Sequence, residues 1–587
     1  MSLETTLAAY IGDRILNAGC KCVFTVSGDY CLAFLKDLIQ VKGLSLIPVC
    51  NELNGGYAAD GYSRATNSLA VLVVNFMVGS LSAINAVAGA YSDDIPLLLI
   101  CFSPSLHNYC RNRVMHHTSG EYGLDDSFKC YTPVVGKTFV IRHEEDISSV
   151  TDSAFRYCLS MRKPVYLGML CLFTPFHVAL ITLFFNKEIS CDLAAVPVSN
   201  PNPLPVPSKA LSDATSLEAC LTDCLRCLDK AVSVVVVGGS KLRADEGAVD
   251  AFSRFVESIG CAVAMQPAAK GIFNESHEQY IGCFWGSVSD PCCEEIVESA
   301  DLVIYIGTVF NDYSTTGWST LSKPAQTITV SNLSVAVNRK TFSGIQISDF
   351  CNAISHRTSL KLGSLEAYRR YSPQKVLRQS ELQSAEPLRR NEIVAHIQNT
   401  LSSTSAVLTE TGDCWFIGKD LKLPKGASYH IQMQYGSIGW SVGASLGLGL
   451  GYKNKRRVIA IIGDGSFQIA AQELSSILRN QIDIIIFLIN NRGYTIETEI
   501  HDGPYNYIPN WKYFKLIEAF SARASGQYEV KGLQIKSSLE LDEALTSIKD
   551  RQGTYLLECC IERDDCSSDL LKWGSRVAAA NMAKPTL

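Results

Sequence analysis

Two short polar segments follow two apolar runs near the carboxyl end of the chain. GDG (Gly463–Gly465) follows RVIAII, and NN (Asn490–Asn491) follows IIIFLI. Carboxylate and amide oxygens are the hard ligands that Mg²⁺ prefers, and Mg²⁺ accompanies phosphates in proteins. Glycine also lets backbone N–H groups approach a diphosphate at the start of a following helix. GDG alone is a weak signal. GDG and NN on two strand ends, with a helix between them, predict a site for a diphosphate and a metal ion.

A pair of adjacent histidines, His116 and His117 in VMHHTSGEYG, is the second candidate for chemistry. Such a pair could bind a metal, transfer protons, or consist of two unrelated side chains. Because successive side chains of an extended chain point to opposite faces, we expect the two imidazoles to point apart and not to share one metal ion. No further cluster of ligands at helical or loop spacing lies nearby. The pair by itself leaves these alternatives open.

Composition narrows the class of protein. The chain has 587 residues, of which 47% are hydrophobic and 19% charged, so two to four globular domains are expected. A net charge of −6 and the lack of a basic run argue against a nucleic-acid partner. The longest apolar run, residues 177–185, is too short to cross a membrane, so no membrane partner is expected. Abundant cysteine (22 residues) in apolar runs, with no secretion signal at the start, predicts a reduced, cytoplasmic protein.

The elements that must position these residues follow one rhythm. Apolar strand-like segments alternate with helical segments in the first third of the chain and again near its end. The clearest strands are 23–28, 44–50, 69–76, 96–102, 457–463 and 482–489, and the helix between the last two is FQIAAQELSSILR, 467–479. A weaker version, with strands near 233–240, 261–267 and 301–307, lies between them. Continuous apolar strands separated by helices indicate parallel sheets covered on both faces. The predicted fold class is therefore α/β, with three doubly wound parallel-sheet domains.

Two polar regions are predicted to separate these domains. PVSNPNPLPVPSKALSD (197–213) is rich in proline and is typical of a linker. The second boundary is expected in the polar region around Leu360 to Pro387. The predicted domains are residues 1–190, 191–365 and 366–587.

The diphosphate–metal segment resembles that of the thiamine-diphosphate-dependent 2-oxo-acid decarboxylases, and most closely the pyruvate decarboxylases of the plant and bacterial type. The resemblance extends over nearly the whole chain. The stretches that carry it are SGDY, NELNGGYAADGYSRA, HHT, GSKLRA, PAAKGIF, FNDYSTTGW, ETGDCWF, QYGSIGWSVGA, GYTIETEIHDGPYN and KWGSRVAAAN. It implies pyrimidine-binding, central and diphosphate-binding domains, in that order. It also implies thiamine diphosphate and Mg²⁺ as cofactors, and a homodimer or homotetramer with the cofactor between subunits.

The resemblance assigns cofactor-binding roles to residues of this chain. Glu52 would hydrogen-bond the aminopyrimidine ring; taken alone, a Glu that opens a helix is more often a charge offsetting the helix dipole. The Gly436 carbonyl and the Ile438 side chain would bend the cofactor. The implied Mg²⁺ ligands are Asp464, Asn491 and the Gly493 carbonyl. The further implied cofactor contacts are Thr411, Gly465, Ser466 and Ile496.

Decarboxylation followed by protonation needs groups that exchange protons near neutral pH. The resemblance implies that Asp29, His116, His117 and Glu497 form this acid–base set. On the sequence alone, Asp29 could instead be the N-cap of the helix CLAFLKDLI. One imidazole of the pair is expected to face the reacting carbon, while the other orients a partner.

The implied substrate is a small 2-oxo acid. Tyr313, Trp415, Ile496 and Ile500 match positions that line the substrate pocket in the resembled enzymes. A bulky Trp there leaves room for a methyl group, so the expected reaction is the decarboxylation of pyruvate to acetaldehyde and CO₂. The alternative is a decarboxylase for indolepyruvate or phenylpyruvate with a wider pocket. An acetolactate-synthase-like carboligase, which lacks the paired histidines, and a non-catalytic binding protein are weaker alternatives.

Some positions depart from the family pattern. VVNFMVG has Asn75 and Met77 where small or hydroxyl residues are more usual, and Gly56 stands beside Gly55 in the NELNGG helix. The run 178–190 has no recognisable counterpart. These departures are expected to leave the catalytic residues untouched.

Overall fold

The structure of the protein, a computed structural model, describes residues 4–104, 113–120, 123, 125–170, 196–197, 211–245, 247–320, 327–371, 385–520 and 528–582. Three sheets with flanking helices form three consecutive α/β units within these residues. The predicted fold class is therefore confirmed. No helix in the described part of the chain is long and apolar enough to cross a membrane.

The first unit contains a six-stranded sheet. Its strands are β2 (Cys22–Thr25), β3 (Ser45–Pro48), β4 (Ala70–Asn75), β5 (Leu97–Ser103), β6 (Lys137–Ile141) and β7 (Val165–Leu170). Its helices are α1 (Leu7–Asn17), α2 (Leu32–Leu38), α3 (Glu52–Thr66), α4 (Val78–Ser92), α5 (Asp126–Tyr131) and α6 (Ile147–Met161). The order is β3-β2-β4-β5-β7-β6, and all pairs are parallel. A short strand β1 (Glu4–Thr5) pairs separately with β8 (Val196–Pro197). The central strands are buried along their whole length because helices cover both faces.

The central unit contains a seven-stranded mixed sheet. Its strands are β9 (Val234–Gly238), β10 (Ala262–Met265), β11 (Tyr280–Cys283), β12 (Leu302–Ile306), β13 (Thr327–Ser331), β14 (Ser334–Val337) and β15 (Lys340–Ser343). Its helices are α7 (Ala214–Lys230), α8 (Ala248–Ile259), α9 (Cys293–Glu298), α10 (Ile347–Ser355) and α11 (Gly363–Tyr371). The order is β11-β10-β9-β12-β13-β14-β15. Strand β14 pairs antiparallel with β13 and with β15, unlike the predicted all-parallel sheet. Tight turns join these strands, and such turns can join only antiparallel neighbours.

The C-terminal unit again contains six parallel strands. They are β16 (Ser405–Thr409), β17 (Ser428–Ile431), β18 (Arg457–Gly463), β19 (Ile484–Asn490), β20 (Glu529–Ile535) and β21 (Gly553–Cys560), in the order β17-β16-β18-β19-β21-β20. The helices are α12 (Arg390–Thr400), α13 (Asp413–Asp420), α14 (Trp440–Tyr452), α15 (Asp464–Ala470), α16 (Leu474–Arg479), α17 (Thr495–Ile500), α18 (Leu516–Phe520), α19 (Ser538–Ile548) and α20 (Ser568–Met582). The single helix predicted over 467–479 is instead α15 and α16, separated by a short 3₁₀ turn.

Helices α3 and α14 join the first and third units into one hydrophobic core. Two glycines allow their backbones to approach. A Cβ on Gly61 would lie 2.2 Å from the carbonyl oxygen of Ala444, and a Cβ on Gly447 would lie 1.9 Å from that of Ala58. Both distances are shorter than any real contact, so only glycine fits. Helix α3 begins at Glu52 and α14 follows the Gly436 loop, so this contact places two predicted cofactor-binding segments on adjoining helices.

The described residues include only one of the two predicted domain boundaries. The boundary at 190/191 and the run 178–190 lie outside the described residues. The boundary at 365/366 falls inside α11, whose Ser364 hydroxyl accepts from the Ala262 N–H and donates to the Val234 carbonyl. Because these contacts attach α11 to the central sheet, we place this boundary after Tyr371, within the polar region named above.

Candidate active site

The GDG and NN segments meet at the carboxyl edge of the third sheet, because β18 and β19 are parallel neighbours. The terminal amide atom of Asn491 that faces away from Thr495 lies 3.3 Å from Asp464 Oδ1 and 3.1 Å from the Gly493 carbonyl oxygen. A nitrogen at that position donates to both oxygens. If that atom is an oxygen instead, it faces the oxygens of Asp464 and Gly493. Three oxygens this close together are favourable only around a cation. The three predicted metal ligands therefore form a set that fits Mg²⁺.

The electrostatics of Asp464 agree with this fit. The residue is buried, and burial raises the pKa of its carboxyl to about 7, although the N–H groups of Gly465 and Gly493 donate to it at 2.8 and 3.2 Å. A buried carboxylate with no cation beside it is unfavourable as a charge. A bound divalent cation would restore the charged form.

Open space for a diphosphate lies beside these ligands. Strands β16 and β18 are neighbours; β18 ends at Gly463, and Gly412 lies three residues after the end of β16. A Cβ at Gly412 (φ +106°) or at Gly463 would meet no atom within 4 Å. Thr411, Gly465 and Ser466 lie at the same edge because they directly follow these strands. The predicted cofactor contacts therefore lie at the same sheet edge as two glycines with open space beside them. We call this edge the diphosphate cradle.

A buried carboxylate that the sequence analysis missed ties two of these segments together. Glu410 Oε1 accepts from the Thr411 N–H at 2.8 Å. Its Oε2 accepts from the N–H groups of Gly439 and Ser441, each at 3.1 Å, and from the Ser441 hydroxyl at 2.5 Å. Burial raises the pKa of Glu410, and these donors counteract the rise. Glu410 thus holds the Gly436–Gly439 loop against the end of β16. The sequence feature that could have indicated Glu410 is a polar residue directly after an apolar strand.

Glu52 is the first residue of α3, where the Asn51 side chain caps the helix by accepting from the Asn54 N–H at 2.8 Å. The Glu52 carboxyl faces the start of α4, since a Cβ on Gly79 would lie 3.0 Å from its Oε1. A side chain at position 79 would therefore crowd the carboxyl. The roles of Glu52 and Ile438 toward the cofactor stay predictions.

The acid–base cluster lies on the first unit. Asp29 Oδ2 lies 2.6 Å from His116 Nε2, and Asp29 Oδ1 lies 3.9 Å from His117 Nε2. Helix α2 begins at Leu32 with Cys31 at its N-cap, so Asp29 is not the cap of this helix. Partial burial raises the pKa of Asp29, but hydrogen bonds from Asn75 and His116 outweigh it and hold this pKa below its ordinary value.

The prediction that the two imidazoles point apart is wrong. Their ring centroids are 4.6 Å apart, and both rings face Asp29. His117 has φ +64°, a left-handed conformation that interrupts the alternation of an extended chain. The ligand atoms of the three residues lie within 4.8 Å of one another, close enough for a metal ion, although the predicted metal site lies in the third unit. Tyr30 stacks on His116 at 4.9 Å and stiffens the cluster.

The expectation that the departures from the family pattern leave the catalytic residues untouched is also wrong. The Asn75 amide nitrogen donates to Asp29 Oδ1 at 2.9 Å. The two residues are far apart in sequence but lie at the ends of β4 and β2, which are neighbours in the sheet. Glu497 lies elsewhere, exposed on α17. It forms no hydrogen bond or ion pair with Asp29 or the histidines within the described residues.

The predicted pocket residues partly converge. A Cβ on Gly436 would lie 3.8 Å from a Tyr313 ring carbon and 3.9 Å from a Trp415 ring carbon. Tyr313 and Trp415 are 5.9 Å apart between ring centroids. Burial, then repulsion from Asp312 and Glu497, raises the pKa of Tyr313, so the charge of Glu497 acts on this tyrosine. The sequence positions Ile496 and Ile500 on the short helix α17, one on each side of Glu497.

Two tryptophans that the sequence analysis missed fix Tyr313. Trp285 Nε1 and Trp573 Nε1 both donate to the Tyr313 carbonyl oxygen, at 2.7 and 3.0 Å. Trp573 also stands edge-on to the Tyr313 and Trp415 rings, at 4.9 and 6.4 Å. Trp573 lies in KWGSRVAAAN, one of the stretches that carry the resemblance, but nothing in that stretch indicates its partner.

Comparison with known proteins decides the family. Models of the thiamine pyrophosphate enzymes match the chain in order: the N-terminal TPP binding domain over residues 5–122, the central domain over 221–353 and the C-terminal TPP binding domain over 411–559. Pyruvate decarboxylase 1 of Arabidopsis thaliana is 43% identical, over 99% of this chain and 92% of its own length. Pyruvate decarboxylase 2 of Oryza sativa subsp. japonica is 42% identical over 99% and 93%, and pyruvate decarboxylase 1 of Pisum sativum 39% over 100% and 95%.

The chain belongs to the thiamine-diphosphate-dependent decarboxylases. The predicted cofactors of this decarboxylase, thiamine diphosphate and Mg²⁺, agree with the two matched binding domains. Asp464 and Asn491 lie inside the C-terminal match, and Asp29, Glu52 and both histidines lie inside the N-terminal one. The role of each residue in the decarboxylase remains a prediction from its position.

Proposed function

We propose that the protein is a pyruvate decarboxylase that converts pyruvate to acetaldehyde and CO₂. The observation that carries this choice is the filled wall beside Gly436. Trp415 is only 1% exposed and stands against Tyr313 and Trp573. A wall of three aromatic rings leaves little room for a second large group and suits the methyl group of pyruvate. The names of the relatives support the same substrate.

The residues of the chain divide the work between two units. Thiamine diphosphate, when bound, supplies an electron sink for the bond that breaks as CO₂ leaves. Asp464, Asn491 and the Gly493 carbonyl would hold Mg²⁺, while Thr411, Gly465 and Ser466 border the diphosphate cradle. Glu52 would orient the aminopyrimidine.

The reacting carbon must gain a proton after CO₂ leaves. Asp29 Oδ2 lies 2.6 Å from His116 Nε2, so this pair is positioned to hold or pass a proton. His117 lies beside this pair and can exchange a proton with it. Glu497, near Tyr313, would supply a carboxyl group from the opposite unit. The cluster of Asp29, His116 and His117 and the carboxyl of Glu497 must come together to form a complete acid–base site.

The assay is the release of CO₂ and acetaldehyde from pyruvate, with and without thiamine diphosphate and Mg²⁺. We expect turnover only with both cofactors. The matched comparison is phenylpyruvate under the same conditions. Faster turnover of phenylpyruvate than of pyruvate would favour the indolepyruvate/phenylpyruvate alternative, and no decarboxylation of either substrate would refute the proposal.

We further propose that the active unit is at least a dimer, as a homodimer or homotetramer, with the cofactor between the first unit of one copy and the third unit of another. The acid–base cluster supports this, because the Asp29 and His116 side chains are 49% and 54% exposed. Large aromatic side chains of the third unit are exposed as well: Tyr435, Tyr505, Tyr507 and Trp511. Proton transfer requires a site that excludes water, and a second copy would provide it.

A mixing experiment tests this arrangement. Asp29→Asn removes the acid–base cluster of the first unit, and Asp464→Asn removes the metal site of the third. Each variant alone should be inactive. If each site uses units from two copies, coexpression should restore about a quarter of the wild-type activity, because half of the dimers are mixed and each contains one intact site. No recovery, despite mixed dimers in sedimentation or native mass measurements, would contradict the proposal.

We also propose that the protein acts in the cytoplasm. In the described part of the chain the cysteines are free thiols, and most of them are buried. This agrees with a reducing compartment. Fractionation of the cells that express the protein tests the location.

A further inference from the structure

Asn75 ends β4, is 5% exposed, and uses both ends of its amide. Its Nδ2 donates to Asp29 Oδ1 at 2.9 Å, and its Oδ1 accepts from the Tyr30 N–H at 3.2 Å. A single side chain therefore connects the end of β4 to two successive residues that follow β2. This double contact defines the direction in which the Asp29 carboxyl points.

The surroundings of the amide leave it little freedom. A Cβ on Gly28 would lie 2.5 Å from Asn75 Cγ, so the absence of a side chain at position 28 creates the space that the amide fills. On the other side, a Cβ on Gly79 would lie 3.5 Å from Asn75 Cβ and 3.0 Å from Glu52 Oε1. Asn75 and the carboxyl of Glu52 thus both border Gly79, so the amide is confined between Gly28 and Gly79.

We propose that Asn75 is a positioning residue of the acid–base cluster, which holds Asp29 Oδ1 so that Oδ2 alone meets His116 Nε2. The inference rests on the proposed function, since it concerns the same proton-transfer set. It goes beyond it because Asn75 departs from the small or hydroxyl residues expected at this position. In this chain the Asn75 carboxamide donates to Oδ1 of Asp29, the oxygen that does not contact His116 Nε2, and so fixes the carboxylate.

The groups that face Asp29 define the expected pH dependence. Asn75 and His116 hydrogen-bond the Asp29 carboxylate and lower its pKa, His117 Nε2 lies 3.9 Å from Asp29 Oδ1, and burial and then the Asp29 charge raise the pKa of the nearby Cys31 thiol. The Glu52 carboxyl borders Gly79, as Asn75 does. Because the amide donates a stronger hydrogen bond to the carboxylate than to the neutral acid, its loss should raise the pKa of Asp29.

The central test replaces the amide by a group of the same size. In Asn75→Asp the Tyr30 N–H keeps its acceptor, but an acceptor replaces the donor that faced Asp29. We expect the acidic limb of the kcat/KM profile on pyruvate to move to higher pH, with activity at pH 5.5 reduced about tenfold more than at pH 7.5. Asn75→Thr, which returns a hydroxyl donor, should recover part of the loss.

Val74→Ala is the matched control. Val74 precedes Asn75 in β4 and is fully buried, and its side chain points to the other face of the sheet. This variant should lower the unfolding midpoint and leave the shape of the pH profile unchanged. If Asn75→Asp changes stability and profile in the same way as Val74→Ala, Asn75 has only a structural role and the proposal is overturned.

A second measurement does not depend on catalysis. In protein labelled with ¹³C at the Asp side-chain carboxyl, the Asp29 signal is assigned by its loss in Asp29→Asn. Its titration midpoint should lie higher in Asn75→Leu than in the wild type; an equal midpoint would refute the proposal. If the wild type fails to decarboxylate pyruvate, the proposed function fails, while this titration still decides the role of Asn75.

Discussion

Two aspartates in this enzyme show opposite behaviour. Asp464, in the predicted metal site of the third unit, is buried, and burial raises its pKa to about 7. Asp29, in the acid–base cluster of the first unit, is half exposed, and the donors Asn75 and His116 hold its pKa below the ordinary value despite partial burial. Burial makes Asp464 unfavourable as a lone charge and so favours a bound cation. The donors around Asp29 instead stabilise its charge next to a histidine.

The difference shows which part of the site is complete in one copy of the chain. The predicted metal ligands lie on two neighbouring strand ends and the loop that follows, so one copy contains all three. The acid–base cluster is open to solvent and separate from Glu497. The predicted metal site therefore depends on the third unit alone, whereas the exposed acid–base cluster depends on the surface that covers it.

Asp464→Asn should have the largest effect. Removal of the metal-binding carboxylate should lower kcat/KM by more than about a thousandfold, because the cofactor loses its charge partner. In metal-free protein above pH 7 the same change should raise the free energy of unfolding, since it removes an unpaired buried charge. Steady-state kinetics and denaturant unfolding measure the two effects. Loss of both activity and stability would mean that Asp464 has another partner.

The pH dependence of metal-free stability comes next. The carboxyl of Asp464 has an ordinary pKa of 3.8 in the unfolded chain and about 7 in the folded one. Between these values the folded state binds more protons, so the contribution to stability falls as pH rises and is lost by about pH 7. The linkage amounts to about 4 kcal/mol.

Urea unfolding between pH 4 and 8, as the difference between wild type and Asp464→Asn, isolates this contribution. Saturating Mg²⁺ should flatten the difference, because the cation favours the charged carboxylate. A difference that does not change with pH in metal-free protein would contradict the assigned environment.

Asp29→Asn should lower kcat by about a hundredfold or more, because His116 loses its anionic partner. An ion pair this exposed contributes less than about 1 kcal/mol, so the unfolding midpoint should barely change. Kinetics and thermal unfolding of one preparation test the contrast with Asp464. A strong loss of stability would show that Asp29 is structural.

Tyr30→Phe should have the smallest effect. The Tyr30 hydroxyl lies 3.3 Å from His116 Nδ1, while the ring stacks on the imidazole. The variant keeps the stack and removes the hydroxyl, so kcat should fall no more than about fivefold, as expected for one neutral hydrogen bond. Tyr30→Leu, which removes both, is the comparison and should lose more.

Much of the metal site was predictable from the sequence. GDG and NN follow apolar strands, and in a parallel sheet the carboxyl ends of neighbouring strands lie along one edge. The convergence of Asp464 and Asn491 follows from this rule once the strands are recognised. Glu410 carried the same signal, a polar residue after a strand, but its hydrogen bonds to Gly439 and Ser441 depend on where the next loop passes.

The acid–base cluster was predictable only as a set of residues. The family resemblance named Asp29, His116 and His117, yet the direction of the two imidazoles depends on one left-handed backbone conformation at His117. Asn75 looked like a departure without consequence. Its contact with Asp29 exists because β2 and β4 are neighbours in the sheet, although β3 lies between them in sequence.

The sequence by itself determined the alternation of strands and helices, the three α/β units and the chemistry of the GDG and NN segments, since these depend on local periodicity and on residue type. Only the tertiary structure decided the partners of Asp29, the orientation of the histidines and the support of Tyr313 by Trp285 and Trp573. Those contacts join residues that are distant in the chain. They depend on strand order and on single backbone angles, which local patterns do not encode.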